Sequence, residues 1–172
     1  FAFNRLFKRK AHIQLEKEVL SNAKKIIAMH TLRGFYSQYI PGINQILYTE
    51  HPLIIPTYVN DSLPSTHIKL AYIGGFYKNY VEPDYLLKLL SNSTIDARCE
   101  FYSIGNCKGV LEKFSKKFPS RIINKGSVDK ETATRKIAEN HILISVAERS
   151  GSQLSSKIFD YISNGKPIIH FY

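Results

Sequence analysis

Residues 150–172 have the sequence SGSQLSSKIFDYISNGKPIIHFY, which joins a small polar loop to a short helix and then to an apolar strand. Ser155 and Ser156 are N-cap residue types at the point where apolar spacing begins, so the free N–H groups of the first helical turn would face the preceding loop. Gly165 supplies a C-cap and Pro167 prevents continuation, so we expect a helix of about three turns. The positive end of the helix dipole would make this loop a site for a phosphate.

A simpler interpretation of the same residues is a capped connection between a helix and a strand, without any ligand. Lys157, Asp160 and Tyr161 would share one face of the helix at this spacing. Lys157 and Asp160 could equally form a surface ion pair that contributes little to stability. A phosphate site therefore requires a second loop that faces the same anion.

From residue 68 onward, short β-rich runs alternate with helical stretches, which is typical of parallel βαβ units. The predicted strands and helices are strands over 68–73, 98–104, 121–123, 141–146 and 167–172, and helices over 83–92, 109–118 and 129–140 besides the one above. Tyr85, Leu86, Leu89 and Leu90 are expected to form the buried stripe of the first of these helices. Asp129 is expected to cap the third. Right-handed crossovers would give an α/β, Rossmann-like doubly wound parallel sheet, whose ligand lies at the carboxyl ends of the strands.

The first part of the chain differs in character and is expected to be the partial tail of another α/β domain, over residues 1–56. Its predicted elements are a basic aromatic helix ending at Ala23, a strand over 25–29, a helix over 32–39 and a strand over 46–48. Residues 57–67 are expected to form an extended linker, because prolines cluster around them. The doubly wound domain would then occupy residues 68–172. Since the chain begins with Phe1 and stops on an apolar strand, we expect both domains to be incomplete.

Charge and composition limit the classes of function. The chain has 172 residues, with 24 Lys and Arg against 14 Asp and Glu, which gives a formal net charge of +10. This balance favours anionic partners such as nucleotides, phospholipid headgroups or nucleic acid, without choosing among them. The 2 cysteines form no CxxC pair and the 6 histidines lack metal-ligand spacing, so the sequence predicts a reduced interior and no metal site. The sequence contains no apolar run of about 18 residues, so it predicts no membrane span.

The second loop expected to face an anion follows the first predicted strand of the doubly wound domain, in the stretch YIGGFYKN. Its glycine pair, Gly74 and Gly75, lets the backbone approach a ligand, and Lys78 can reach an anion. The spacing is not GxGxxG and no acidic residue ends the second strand, so a nicotinamide cofactor is weakly supported. A plain tight turn is the simpler interpretation of this glycine pair.

Residues 68–172 resemble the nucleotide-sugar-binding half of GT-B glycosyltransferases, especially the retaining family 4 type. The resemblance rests on YIGGFYKN, on KGSV before a helix, on the apolar strand HILISV, and above all on SSKIFDYISNGKPII. The last stretch is similar to the family's pattern of a lysine, an acidic residue, a small residue and Gly-x-Pro. Residues 16–31 resemble, less specifically, the final helix and strand of the family's acceptor-side domain. The resemblance implies a GT-B donor-binding half preceded by part of an acceptor domain.

The resemblance also implies roles for the candidate site residues. Asp160 would hold the ribose hydroxyls. The residues expected near the diphosphate are Gly74, Gly75, Ser155, Ser156 and Lys157. Phe76 occupies the position of the family's basic residue, and Lys78 is expected to replace that residue. The residues expected to edge the base are Gly126, Ser127 and Val128. Those expected to face the donor sugar are Glu148, Gly151, Ser152 and Gln153.

The chain departs from the family pattern on the sugar side of the site. Where the family often has two glutamates eight positions apart, Ser152 stands in place of the first of them. Glu148 lies four positions too early to substitute simply. We expect Glu148 to be a solvated loop residue paired with Arg149. These departures affect the identity of the sugar more than nucleotide binding.

The implied function is transfer of a sugar from a nucleotide diphosphate sugar to a glycan or lipid-linked acceptor, as in polysaccharide biosynthesis. Transfer would retain the anomeric configuration. It would need no metal or cofactor, because fixed N–H donors and a lysine can stabilise the leaving diphosphate. Any catalytic base would lie outside this segment, which is expected to bind donor without turnover. We expect a cytoplasmic enzyme. Its basic, aromatic N-terminal segment could contact a membrane surface, but a helix whose apolar side packs within its own domain is the simpler interpretation. Alternatives are a GT-B epimerase of nucleotide sugars and a non-catalytic basic module that binds nucleic acid or an acidic partner.

Overall fold

The computed structural model describes residues 2–39, 45–50, 66–149 and 155–172. The chain divides into two compact units, Phe1–Pro52 and Leu53–Tyr172. The elements of the first unit are helix α1 (Ala2–Asn22), strand β1 (Ile26–Met29), a 3-10 helix (His30–Leu32), helix α2 (Arg33–Tyr39) and strand β2 (Ile46–Thr49). β1 and β2 pair in parallel. The helices and strands predicted for this part are present with shifted ends, while most of the predicted linker lies outside the described residues.

The second unit is a five-stranded parallel sheet with helices on both faces. Its elements in chain order are β3 (Ile68–Phe76), α3 (Asp84–Asn92), β4 (Ala97–Gly105), α4 (Lys108–Lys117), β5 (Ile122–Asn124), α5 (Lys130–Glu139), β6 (Ile142–Val146), α6 (Lys157–Ser163) and β7 (Ile168–Phe171). The strand order is β5-β4-β3-β6-β7, and all neighbouring pairs are parallel. This order confirms the Rossmann-like doubly wound fold.

The order of the strands reverses between β3 and β6, at the centre of the sheet. β3 pairs with β4 along its whole length, from Ile68 to Phe76. Its pairing with β6 covers only Leu70 to Tyr72. β3 therefore runs past β6 toward its carboxyl end, and a crevice at such a switch point is where doubly wound sheets bind ligands.

Apolar side chains cover both faces of this sheet, because successive residues of a strand point to opposite sides. The cluster under α3 and α4 contains Leu70, Tyr72, Phe76, Leu86, Leu87, Leu90, Cys99, Phe101, Cys107, Leu111, Ile122 and Ile144. The cluster under α5 and α6 contains Ala71, Ile73, Tyr102, Ile137, Leu143 and Tyr161. A parallel sheet covered on both sides explains the nearly continuous apolar runs of its strands.

The buried stripe predicted for α3 is partly wrong. Leu86, Leu87 and Leu90 are the buried residues of this helix. Leu89 is 44% exposed and Tyr85 is 69% exposed. A helix that lies on a sheet buries adjacent positions on either side of its contact line, so both Leu86 and Leu87 are buried. The spacing had instead favoured Tyr85 and Leu89.

The glycine pair and α6 also differ from the prediction. Gly74 and Gly75 lie inside β3, because β4 continues to pair with β3 through Gly105. α6 has 7 residues rather than three turns, and Ser156 has helical backbone angles and makes no side-chain capping bond. The C-cap is as predicted, since Gly165 has a φ of +62° and its N–H donates to the Ile162 carbonyl at 2.9 Å. None of the described helices is long and apolar enough to cross a membrane.

Candidate functional site

A cavity of about 400 Å³ opens beside the carboxyl ends of β3 and β4, on the sheet face that α5 and α6 cover. Its walls come from the two strands, the loop before α5 with the first half of that helix, and α6. The lining residues are Ile73, Gly74, Gly75, Tyr102, Ile104, Ser127, Val128, Asp129, Lys130, Ala133, Thr134, Ile137, Lys157, Asp160, Ser163 and Asn164. The cavity thus brings together two glycine positions, two ammonium groups and two carboxylates.

Gly74 and Gly75 belong to the strand wall of the cavity, and tyrosine rings occupy the space that side chains at these positions would need. A Cβ atom at Gly74 would lie 2.9 Å from the Tyr72 hydroxyl, and one at Gly75 would collide with the Tyr77 ring. The Tyr72 hydroxyl donates to the Gly75 carbonyl at 2.9 Å. Any larger residue at either position would displace one of these rings.

The loop before α5 forms a tight turn that places Ser127 and Val128 in the wall. Gly126 has a φ of +71°, which favours glycine, and its N–H donates to the Asn124 side chain at 3.0 Å. Asp129 then caps α5 as predicted, because its carboxylate accepts from the Thr132 N–H at 2.8 Å. The hydrogen bonds from Thr132 lower the pKa of Asp129 below its usual value.

α6 contributes Lys157 and Asp160, the pair predicted to share one helix face. Both side chains line the cavity. Within the described part of the chain, Lys157 forms no ion pair, so the interpretation of this pair as a surface salt bridge is not observed. Backbone geometry holds Asp160 in place, since its carbonyl accepts from the Ser163 hydroxyl at 2.9 Å and from the Asn164 amide at 2.8 Å.

Two tyrosines of the apolar cluster under α5 and α6, Tyr102 in the cavity lining and Tyr161 outside it, have hydroxyls that are already hydrogen-bonded. The Tyr161 hydroxyl lies 3.2 Å from both the N and the O of Ile73, where β3 has passed the end of its pairing with β6. The Tyr102 hydroxyl donates to Glu100 at 2.5 Å, and Glu100 lies 3.5 Å from the Lys125 ammonium. Burial raises the pKa of both phenols well above its usual value, so both are neutral near pH 7.

Five of the sequence candidates lie outside the cavity lining. Gly126 shapes the loop beside it, while Ser155 and Ser156 are exposed before α6. Lys78 is exposed, and its backbone N–H donates to the Asn106 side chain at 2.7 Å. Glu148 is only 8% exposed, so the expectation of a solvated loop residue is wrong. Backbone hydrogen bonds from Ala147 to Phe171 and from Arg149 to Tyr80 hold the turn after β6 against the rest of the unit. The remaining candidates, Gly151, Ser152 and Gln153, lie outside the described residues.

Several lining residues escaped the sequence reasoning. These are Tyr102, Ile104, Asp129, Lys130, Ala133, Thr134, Ile137, Ser163 and Asn164. Most of them stand on β4 or α5 at positions where spacing indicates only a buried or an exposed face. Lys130 had a usable signal, because it follows the predicted N-cap of a helix that begins at the ligand edge of the sheet. No group of three or more possible metal ligands occurs among the residues that the structure describes.

The sequence matches no protein-family model, and no curated protein is similar to it. Among solved structures, a mutant of S. aureus TarM in complex with fondaparinux, alpha-GlcNAc-glycerol and UDP is similar, with a TM-score of 0.59 and 16% sequence identity over 91% of this chain and 32% of that chain. Another TarM structure gives a TM-score of 0.60 at 13% identity, covering 90% of this chain and 31% of that chain. The chain thus spans about a third, 31–32%, of the TarM length. TarM is a GT-B glycosyltransferase, so the second unit has the fold of a GT-B half.

Proposed function

We propose that this chain carries the donor-binding part of a glycosyltransferase whose substrate is a nucleotide diphosphate sugar. The observation that supports the proposal is the cavity beside the switch point of the sheet, which Lys157 and Asp160 line together with Gly74 and Gly75. Concave sites with a few convergent polar groups at this edge are typical of ligand binding in doubly wound folds. The likeness of the fold to TarM, which was crystallised with UDP, points to the same class of ligand.

Each polar group of the cavity has a role in this proposal. The Lys157 and Lys130 ammonium groups neutralise the diphosphate through charge-assisted hydrogen bonds. Asp160 accepts hydrogen bonds from the ribose hydroxyls. Cleavage of the bond between the sugar and the diphosphate develops negative charge on the leaving group, and cations held in advance stabilise that charge.

The finer features of the proposal rest on the resemblance of the motifs to family 4. They are retention of the anomeric configuration, a metal-independent reaction, a glycan or lipid-linked acceptor in polysaccharide biosynthesis, and a cytoplasmic location with membrane contact through the basic N-terminal segment. Candidates outside the cavity keep their proposed roles: Ser155, Ser156 and Lys78 toward the diphosphate, Gly126 toward the base, and Glu148, Gly151, Ser152 and Gln153 toward the sugar.

The proposal is tested by calorimetric titration of UDP, GDP and ADP into the wild-type chain and into the variants Lys157→Ala and Asp160→Ala. If Lys157 binds the diphosphate, its removal should cost about 1.5–3 kcal/mol, roughly ten- to a hundredfold in affinity. Asp160→Ala should weaken binding of the nucleoside diphosphate by about tenfold, because ribose contacts are lost. Lys113→Ala is the matched control, since Lys113 is an exposed lysine of α4, on the opposite face of the sheet.

Equal binding by wild type and both variants would contradict the assignment of the site. Affinity that ignores both variants, and that falls steeply with salt for an oligonucleotide, would instead indicate a basic module for nucleic acid. Hydrolysis or inversion of the donor without any acceptor, measured on the full-length protein, would indicate an epimerase.

A further inference from the structure

Four tyrosine hydroxyls lie around the carboxyl ends of β3 and β4, and three of them are used inside the protein. Tyr72 donates to the Gly75 carbonyl, Tyr102 to the Glu100 carboxylate, and Tyr161 bonds to the Ile73 backbone. The fourth belongs to Tyr77, which is 42% exposed. The Tyr77 hydroxyl has no hydrogen-bond partner among residues 66–149 and 155–172 or elsewhere in the described chain. It is therefore a donor available to a ligand.

The ring of Tyr77 lies between Gly75, which lines the cavity, and Gly105, which lies outside its lining. A Cβ atom at Gly75 would meet the ring, with the Tyr77 Cζ and hydroxyl oxygen at 3.0 and 3.1 Å. A Cβ atom at Gly105 would lie 3.2 Å from the other side of the ring, at Cε1. Since Gly75 lines the cavity, the phenol oxygen lies directly over the backbone that borders it.

A short hairpin holds Tyr77 in this position. The Tyr77 N–H donates to the Val81 carbonyl at 2.8 Å, and the Val81 N–H donates back at 3.0 Å. Asn79 occupies the tip with a φ of +65°, and its N–H donates to Glu82 at 2.7 Å. The Tyr80 carbonyl accepts from the Arg149 N–H at 2.7 Å, which ties the hairpin to the turn after β6. A group fixed before binding loses little conformational entropy when it contacts a ligand.

We propose that Tyr77 is a ligand-binding residue of the donor site, whose hydroxyl donates a hydrogen bond to the diphosphate. This assignment rests on the proposed function, which binds the diphosphate in the cavity that Gly75 lines. Phe76 is buried on the other face of the sheet, and the Lys78 backbone is bonded toward Asn106, so neither of these neighbours lies over Gly75 as Tyr77 does. A neutral hydroxyl donates to a phosphate oxygen without adding another cation to the site.

The test compares UDP with uridine, because uridine lacks the diphosphate. UDP binding is measured by calorimetry and uridine binding by ligand-detected NMR, for wild type, Tyr77→Phe and Tyr80→Phe. Tyr77→Phe keeps the ring against Gly75 and Gly105 and removes only the hydroxyl, so the thermal unfolding midpoint should stay unchanged. We expect this variant to bind UDP about tenfold more weakly and uridine within about twofold of wild type. Tyr80→Phe, which removes a 46% exposed phenol from the same hairpin, should change neither affinity.

The outcomes separate this assignment from the proposed function. Wild-type affinity of Tyr77→Phe for UDP overturns the role of Tyr77 and leaves the donor site standing. Equal losses for UDP and uridine also overturn it, because the hydroxyl would then act on the nucleoside. Absence of UDP and uridine binding to the wild-type chain overturns both proposals.

Discussion

The two faces of the five-stranded sheet share the same strands but differ where those strands end. On the α3/α4 face, Phe76 closes the carboxyl end of β3 and stacks on Tyr72, with 4.1 Å between the ring centroids. On the α5/α6 face, the preceding position is Gly75, and the apolar cluster stops at Ile73. The same strand therefore seals one face and leaves a cavity of about 400 Å³ on the other.

This difference implies that the two faces contribute unequally to stability and to binding. Close-packed side chains gain dispersion contacts, whereas groups that line a void have no partner atoms on one side. The α3/α4 face should therefore contribute more to stability, and the α5/α6 face should carry binding.

The largest effect is expected from opening the packed face with Leu87→Ala. Leu87 is fully buried at 0% exposure, so its truncation should lower the free energy of unfolding by about 2–5 kcal/mol. Urea denaturation measures this loss. Leu89→Ala on the same helix is the control and should cost less than about 1 kcal/mol. Similar losses for both variants would contradict the burial difference along α3.

Filling the cavity on the α5/α6 face with Ala133→Leu should weaken binding rather than stability, the opposite of the effect expected for Leu87→Ala. Ala133 lines the cavity from α5. The added atoms would occupy space that the proposed nucleotide needs. We expect UDP to bind at least about tenfold more weakly, which corresponds to about 1.4 kcal/mol, with little loss in the free energy of unfolding. Arg135→Leu, an exposed change on the same helix, should leave UDP binding unaffected. Undiminished binding to Ala133→Leu would place the ligand elsewhere.

The smallest effect concerns alkaline pH and the buried phenol of Tyr161. Burial raises the pKa of Tyr161 above its usual 10.0, so the folded state keeps a proton that the unfolded state releases. The free energy of unfolding should fall as the pH rises above about 10, by at most about 1.4 kcal/mol per pH unit for this group. Tyr161→Phe should flatten that slope, whereas Tyr85→Phe, at an exposed position, should not. Urea titrations from neutral to alkaline pH measure both, and an unchanged slope in Tyr161→Phe would contradict the burial argument.

The arrangement of helices and strands was predictable because apolar periodicity and turn residues act locally. The five strands of the second unit and the Asp129 cap follow from short sequence patterns, and the structure confirms them. The length of β3 was not predictable in the same way. Its glycine pair favours a turn locally, but pairing with β4 through Gly105 keeps these residues in the strand.

The site divides along the same line between local and long-range effects. Lys157 and Asp160 share a face because helical spacing requires it, so their joint presence in the cavity was foreseeable. Tyr102 and Ala133 reach the same cavity only because β4 and α5 are packed around β3, which no local pattern encodes. The burial of Glu148 and the seat of Tyr77 likewise depend on contacts between segments that are distant in the chain.

The strand order has a consequence for how this unit forms during synthesis. β3, β4 and β5 leave the ribosome with α3 and α4, and these elements complete one side of the sheet from neighbouring parts of the chain. The inner edge of β3 must wait for β6, as the contact between Lys69 and His141, 72 residues apart, illustrates. Contacts of such separation form slowly, and an unpaired strand edge invites aggregation in the meantime. The α5/α6 face is thus expected to be the last part of the unit to form, and its formation the stage most dependent on chaperones.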